Sequence, residues 1–159
     1  MSSDFHIKFD GVEGESIHKD HKGEIEILSW SWGVNNASGA ASGGGSGKGQ
    51  ANATDFNFVH LYDKASTVLA KHCVSGKHFK EVVMTCRKSG EGQQDFLKVT
   101  FKEAFITSVN TGGAQGGDIT EQVSFSFKDA EFAYKAQDDK GAGKGEVKFG
   151  WNTATKETR

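Results

Sequence analysis

Apolar and polar positions alternate along most of this chain. Phe5, Ile7 and Phe9 fall on one side of an extended segment and His6 and Lys8 on the other, so residues 4–9 read as a half-buried strand. Residues 10–23 (DGVEGESIHKDHKG) are polar and punctuated by glycine, which marks a connection. The alternation then returns in EIEILSWSWG at 24–33. There Leu28, Trp30 and Trp32 share one face and Ser29, Ser31 and Gly33 the other. This predicts that the three large residues fill a core while the serines stay outside it. Strand character resumes at 55–60, where Phe56 and Phe58 share a face, and again at 79–87, 94–109, 121–136 and 145–151. Val123, Phe125 and Phe127 alternate with Ser124, Ser126 and Lys128, adding Phe125 and Phe127 to the core candidates. The 94–109 and 121–136 segments are long for single strands, so each should contain a bend or bulge.

One stretch follows a different period. Ala65, Val68, Leu69, His72 and Cys73 recur at i, i+3, i+4, i+7 and i+8, preceded by Asp63 and followed by Gly76. An acidic N-cap, an apolar stripe and a glycine stop predict one helix over about 64–75. At three turns it is marginal alone and must pack on a sheet. The fold class is therefore mainly β: a two-sheet, partly closed barrel or sandwich with one flanking helix and a long Gly/Ser-rich loop. No repeat or boundary divides residues 1–159, which read as a single domain.

Composition sharpens this. A chain of 159 residues has the length of one ordinary domain, and 12 Phe with 3 Trp supply aromatic material for a β core. A formal net charge of -2 implies neither a basic nucleic-acid patch nor an acidic tail. The N-terminal MSSDFHIKFDGVEG lacks the basic and apolar regions of a secretory signal. No apolar run approaches the roughly 18–20 residues of a membrane helix, so no membrane insertion is expected. Cys73 and Cys86 read as free, packed thiols.

Chemical motifs are weak. SGAASGGGSGKGQ at 38–50 resembles a phosphate cradle, but register defeats that reading. With Gly47 and Lys48 aligned to a G-x-x-x-x-G-K-[ST] loop, Ser42 replaces the first glycine and Gly49 the hydroxyl residue. The strand-like segment that follows also offers no helix N-terminus to an anion. His18 and His21 with Asp20 could in principle reach one metal ion, but zinc sites need three or four ligands in a shaped shell, so they read as a charged surface loop. No nucleophile elbow or split carboxylate pair appears, so no catalytic residue, cofactor or metal is assigned and no enzyme activity is expected. Exposed tryptophans leave a monomeric carbohydrate-binding sandwich as an alternative.

Five blocks taken together carry a family resemblance: GESIHKDHKGEIEILSWSWG (14–33), SGKHFKEVVMTCRKSG (75–90), ITSVNTGG (106–113), ITEQVSFSF (119–127) and KFGWN (148–152). In this order and spacing the chain resembles the Hcp (haemolysin-coregulated protein) family, which forms the inner tube of bacterial type VI secretion systems. The resemblance implies hexameric rings that stack into a hollow tube, a contractile sheath around it, a VgrG-type spike at its tip and small effector proteins in the lumen. It implies assembly in the cytoplasm and export without a cleaved signal, and the end at TATKETR reads as a plain tube subunit. A phage-tail-like tube protein of another contractile system shares these features and stays open. On the resemblance, Ser29 and Ser31 look onto the lumen, with a subunit interface as the alternative. Ser42, Gly43, Gly44, Gly45, Ser46, Gly47 and Lys48 then form a loop that projects towards a neighbouring subunit or ring.

Overall fold

A computed structural model describes residues 2–36, 51–89, 94–137 and 143–159. The strands are β1 (Ser3–Phe9), β2 (Ile25–Ile27), β3 (Ser29–Ser31), β4 (Val34–Asn36), β5 (Ala51–Ala53) and β6 (Phe56–Leu61). Helix α1 (Lys64–Ser75) follows, then β7 (His78–Lys88), β8 (Asp95–Gly113), β9 (Ile119–Ser126), β10 (Asp129–Gln137) and β11 (Gly143–Asn152). Nine strands build one antiparallel sheet along β2-β1-β7-β8-β9-β6-β3, with β10 joined to β8 and β11 to β10. The remaining pair, β4 and β5, makes a small second sheet.

The large sheet curls because two stretches of backbone change partners. The segment expected as one strand over 24–33 breaks at Leu28, so β2 pairs with β1 and β3 with β6. The Leu28 N–H donates to the Val59 carbonyl at 2.7 Å as the chain crosses over. Bends of this kind let one strand serve two directions of a barrel-like sheet. The long β8 does the same. Its first half lies between β7 and β10, its second half pairs with β9, and Glu103 at the change has φ 53. The expected bulge is there, marked by register shifts between Ile106 and Ser108. The segment 121–136 is not one bent strand but two, β9 and β10, parted at Phe127 and Lys128.

Inside the curl sit Phe9, Phe56, Phe58, Phe101 and Phe125, all fully buried. Phe125 is central, with ring centroids 5.6 Å from Phe9, 5.2 Å from Phe56 and 5.0 Å from Phe101. Aromatic pairs at these separations stabilise beyond their area burial. Phe127 is buried beside Phe101 as expected. Trp30 is half-buried and stacks on Phe56 at 5.8 Å, and Trp32 packs on Phe132 at 4.8 Å. Leu28 corrects the sequence reading: it is 55 % exposed, not part of the core. Ile25 and Ile27 point inward, the bend at Leu28 inserts one residue, and Trp30 and Trp32 then take up the inward phase.

Helix α1 follows its sequence signals closely. The Asp63 carboxylate accepts from the Ala65 N–H at 3.0 Å, and the Asp63 N–H donates to the Ser66 hydroxyl at 3.0 Å, a reciprocal cap. Gly76 ends the helix in the left-handed region at φ 71, returning its N–H to the His72 carbonyl. Ala65, Ser66 and Leu69 are buried, α1 lies against β8, and the His72 ring stacks on Phe79 at 4.2 Å.

Candidate functional site

The face of the sheet opposite the aromatic core is where the alternating polar residues collect. Cross-strand register places Ser31 beside Asn57, Asn57 beside Ser124, and Ser124 beside Ser108. One step along, Ser29 meets Val59, Val59 meets Gln122, and Gln122 meets Asn110. Directly opposed residues in antiparallel strands share a face. Two rows therefore run across β3, β6, β9 and β8 without a charged residue in either. Ser29 and Ser31 are exposed, as the sequence alternation required. The Ser124 hydroxyl donates to the Asn57 side-chain oxygen, and the Asn57 amide donates to the Asp55 carbonyl at 3.1 Å. These bonds hold the polar groups flat against the sheet.

Alternation announced Ser124 but not its neighbours, because which residues become adjacent depends on the pairing register. Asn57, Ser108, Asn110 and Gln122 enter the surface only once β6, β8 and β9 are in register. The tryptophans do not form an exposed sugar platform, since Trp30 and Trp32 pack on the core and Trp151 is buried.

Beneath this wall the core ends in a polar plug. His60 Nε2 lies 3.0 Å from Glu121 Oε1, both residues are almost wholly buried, and the Thr111 hydroxyl donates to Glu121 Oε2 at 2.8 Å. Asp63, the cap of α1, sits 3.8 Å from His60 Nδ1. Burial raises the Asp63 pKa, although the His60 charge and the Ala65 N–H work against that shift.

A second exposed feature is the ribbon of β4 and β5, rooted by the Gly33 N–H on the Thr54 hydroxyl at 2.9 Å and the Thr54 N–H on the Gly33 carbonyl at 2.8 Å. All of β4 is exposed, including Val34 at 49 %. The loop candidates Ser42, Gly43, Gly44, Gly45, Ser46, Gly47 and Lys48 lie outside the described residues, between these two strands.

The histidines at 18 and 21 belong to a lobe, residues 10–24, that covers the outer side of β1 and β7. His21 Nδ1 lies 2.8 Å from Glu24 and Nε2 3.0 Å from Asp95 on β8, so both ring nitrogens face carboxylates. Burial disfavours the charged ring, but these two hydrogen bonds outweigh it and raise its pKa. Arg87 pairs with Asp20 of the lobe at 3.0 Å, and this bond holds the Asp20 carboxyl below its ordinary value. Among the described residues, no group of three or more His, Cys, Asp or Glu side chains is disposed to hold a metal ion. Cys73 and Cys86 are free, and burial pushes the Cys86 thiol up to about 12.

Comparison with known proteins now decides the family. The family model described as type VI secretion system effector, Hcp, matches residues 6–134. The chain belongs to the Hcp family. Protein hcp1 of Pseudomonas aeruginosa is 43 % identical over 155 residues, covering 96 % of each chain. The crystal structure of Hcp1 from Salmonella typhimurium superposes with a TM-score of 0.83 at 31 % identity, covering both chains completely. A structure described as a type six secretion system protein gives a TM-score of 0.93 at 28 % identity over 99 % of this chain and 100 % of the other. The sequence resemblance is thereby confirmed as membership, with the β-rich fold of the family.

Proposed function

We propose that this Hcp-family chain is the building block of a type VI secretion inner tube, forming hexameric rings that stack and carry effector proteins in the lumen. The observation that carries the reading is the uncharged wall of Ser29, Ser31, Asn57, Ser108, Asn110, Ser124 and Gln122. A conduit for varied cargo needs a surface that hydrogen-bonds weakly to many partners and traps none through strong charge or a large apolar patch. Small polar side chains anchored on a sheet have that character. The β4–β5 ribbon supports the second half of the proposal. An isolated two-stranded ribbon is marginal in water, so its exposed strands gain support when a neighbouring subunit or ring packs on them. Ring closure itself needs two different faces of one subunit to meet head to tail. A contractile sheath, a VgrG-type spike and small effectors are the partners this role requires, with export by the same machine rather than through a signal peptide.

Replacing Ser31 with Gln tests the wall. Rings of the variant, checked by light scattering and negative-stain microscopy, should match those of the parent, while co-purification of a cognate effector drops several-fold. Intact rings that retain effector normally would remove Ser31 from the lumen, and a 17.1 kDa monomer at every concentration would overturn the tube reading altogether.

A further inference from the structure

The lobe over residues 10–24 buries a histidine that a tube subunit does not require. It is a closed turn, with the Gly14 N–H on the Gly23 carbonyl at 2.7 Å, the Ser16 N–H on the Glu24 carbonyl at 2.9 Å and the Gly23 N–H on the Ser16 carbonyl at 2.9 Å. In the sheet beneath it, register sets Glu26, His6, Thr85 and Lys98 side by side on β2, β1, β7 and β8. His6 is only 2 % exposed, and neither of its ring nitrogens has a hydrogen-bond partner. Its closest carboxylate oxygen, on Glu26, stands 3.9 Å from Nε2, beyond hydrogen-bond reach. Above it the His21 ring is stacked at 4.7 Å with an interplanar angle of 10°, and the His18 ring is tilted at 5.5 Å.

A buried imidazole with neither ring nitrogen hydrogen-bonded is costly and calls for an explanation. Proton uptake on acidification supplies one. We propose that the His6, His18 and His21 cluster is an acid-released latch: His21 fastens the lobe to β8 through Asp95, and protonation of His6 beneath it frees the lobe in mildly acidic surroundings. The proposal does not depend on the tube reading.

The two histidines act with opposite sign. His21 has a raised pKa in the closed lobe, so its contribution is fully present below the ordinary value of about 6.5 and is lost as pH climbs through the raised value. His6 is lowered to about 4, first by burial, then by the charges of His21 and His18, with Asp4 and Asp95 opposing. Its contribution to closure is present above about 6.5 and is lost as pH falls towards 4. Closure is therefore tightest near pH 6.5 and weakens below it. The other ionisable groups acting on or beside His6 are Asp4 on β1, Asp95 on β8, Glu26 on β2 and, in the same cross-strand row, Lys98 on β8; on the lobe Glu24 bonds His21, and Asp20 pairs with Arg87 of β7. Readings confined to pH 5.0 and above keep free-solution carboxylates largely ionised.

The His6 difference, less the opposing part from His21, gives about a tenfold rise in lobe opening between pH 6.5 and 5.0. Native-state hydrogen exchange read by mass spectrometry, corrected for the intrinsic pH dependence of exchange, measures it on the full chain. Protection over residues 10–24 should fall about tenfold across that interval, while β7 changes little. In His6→Phe, which fills the site without a titrating group, the change should be under twofold, and His6→Gln provides the same control if the aromatic replacement distorts β1. Ring-proton NMR of the unaltered protein supplies the direct measure, a His6 midpoint well below 6. Parallel loss of protection in parent and variants, no loss in the parent, or a His6 midpoint near 6.5 would each overturn the latch.

Discussion

The plug formed by His60 and Glu121 allows a test in which two substitutions should do less harm than one. Replacing Glu121 with Leu removes the acceptor 3.0 Å from His60 Nε2 and leaves a fully buried imidazole facing hydrocarbon. Breaking a buried pair from one side costs about 3–5 kcal/mol, and an orphaned neutral donor about 1–3. A loss of about 3 kcal/mol is expected, or roughly 6–12 °C in melting temperature for a chain of this size. The Thr111 hydroxyl is exposed and can turn to water, so it adds little. Pairing the change with His60→Phe replaces both polar partners by apolar groups beside Phe58, whose ring already lies 5.6 Å from His60. Such exchanges are often neutral, so the double variant should fall within about 1 kcal/mol of the parent, a coupling of about 2 kcal/mol or more. Urea unfolding followed by tryptophan fluorescence at one fixed protein concentration measures this, provided the urea slope is unchanged. Costs that simply add, with the double variant weaker than either single one, would refute the reasoning.

Three further outcomes follow from geometry. A Cβ at Gly14 would stand 2.5 Å from the Glu24 carbonyl oxygen and 2.9 Å from the Ile25 nitrogen, so Gly14→Ala must shift backbone; a loss above about 2 kcal/mol is expected from urea midpoints, and a neutral change would contradict the lobe packing. Leu28→Ser should stay within about 0.5 kcal/mol in thermal melts, whereas a core leucine truncated this way costs about 2–5. Cys86 is buried with its thiol pKa pushed up to about 12, so an aromatic disulfide reagent at pH 8 should label at most Cys73 in the native protein and both thiols after unfolding.

Elements dominated by local chemistry were readable from the chain: the helix between Asp63 and Gly76, and strands such as Phe56–Leu61 whose aromatics keep a strict period of two. Alternation assigns Leu28 to the core, and it lies outside for a physical reason. Periodicity reports a face only while the strand is unbroken, and the crossover from β1 to β6 is decided by distant partners. The same limit hid most of the polar wall. Ser29 and Ser31 stood out beside tryptophans, while Asn57, Ser108 and Gln122 looked like ordinary outward residues until register joined them. Alternation places His6 on the polar side of a half-buried strand. Its burial comes from the lobe folding back over β1, a contact that no local pattern encodes.

The bend at Leu28 also has a consequence for how this segment can change length. Isoleucines at odd positions before it and tryptophans at even positions after it all point inward, so parity is reset by a single residue. Deleting that residue would send Trp30 and Trp32 outward and draw the serines into the core, a one-step slip that inverts both surfaces. Insertions or deletions here are tolerable only in pairs. Divergence in this stretch is thus confined to substitutions and to length changes of two residues, and any engineered loop is better placed in a connection that carries no such phase.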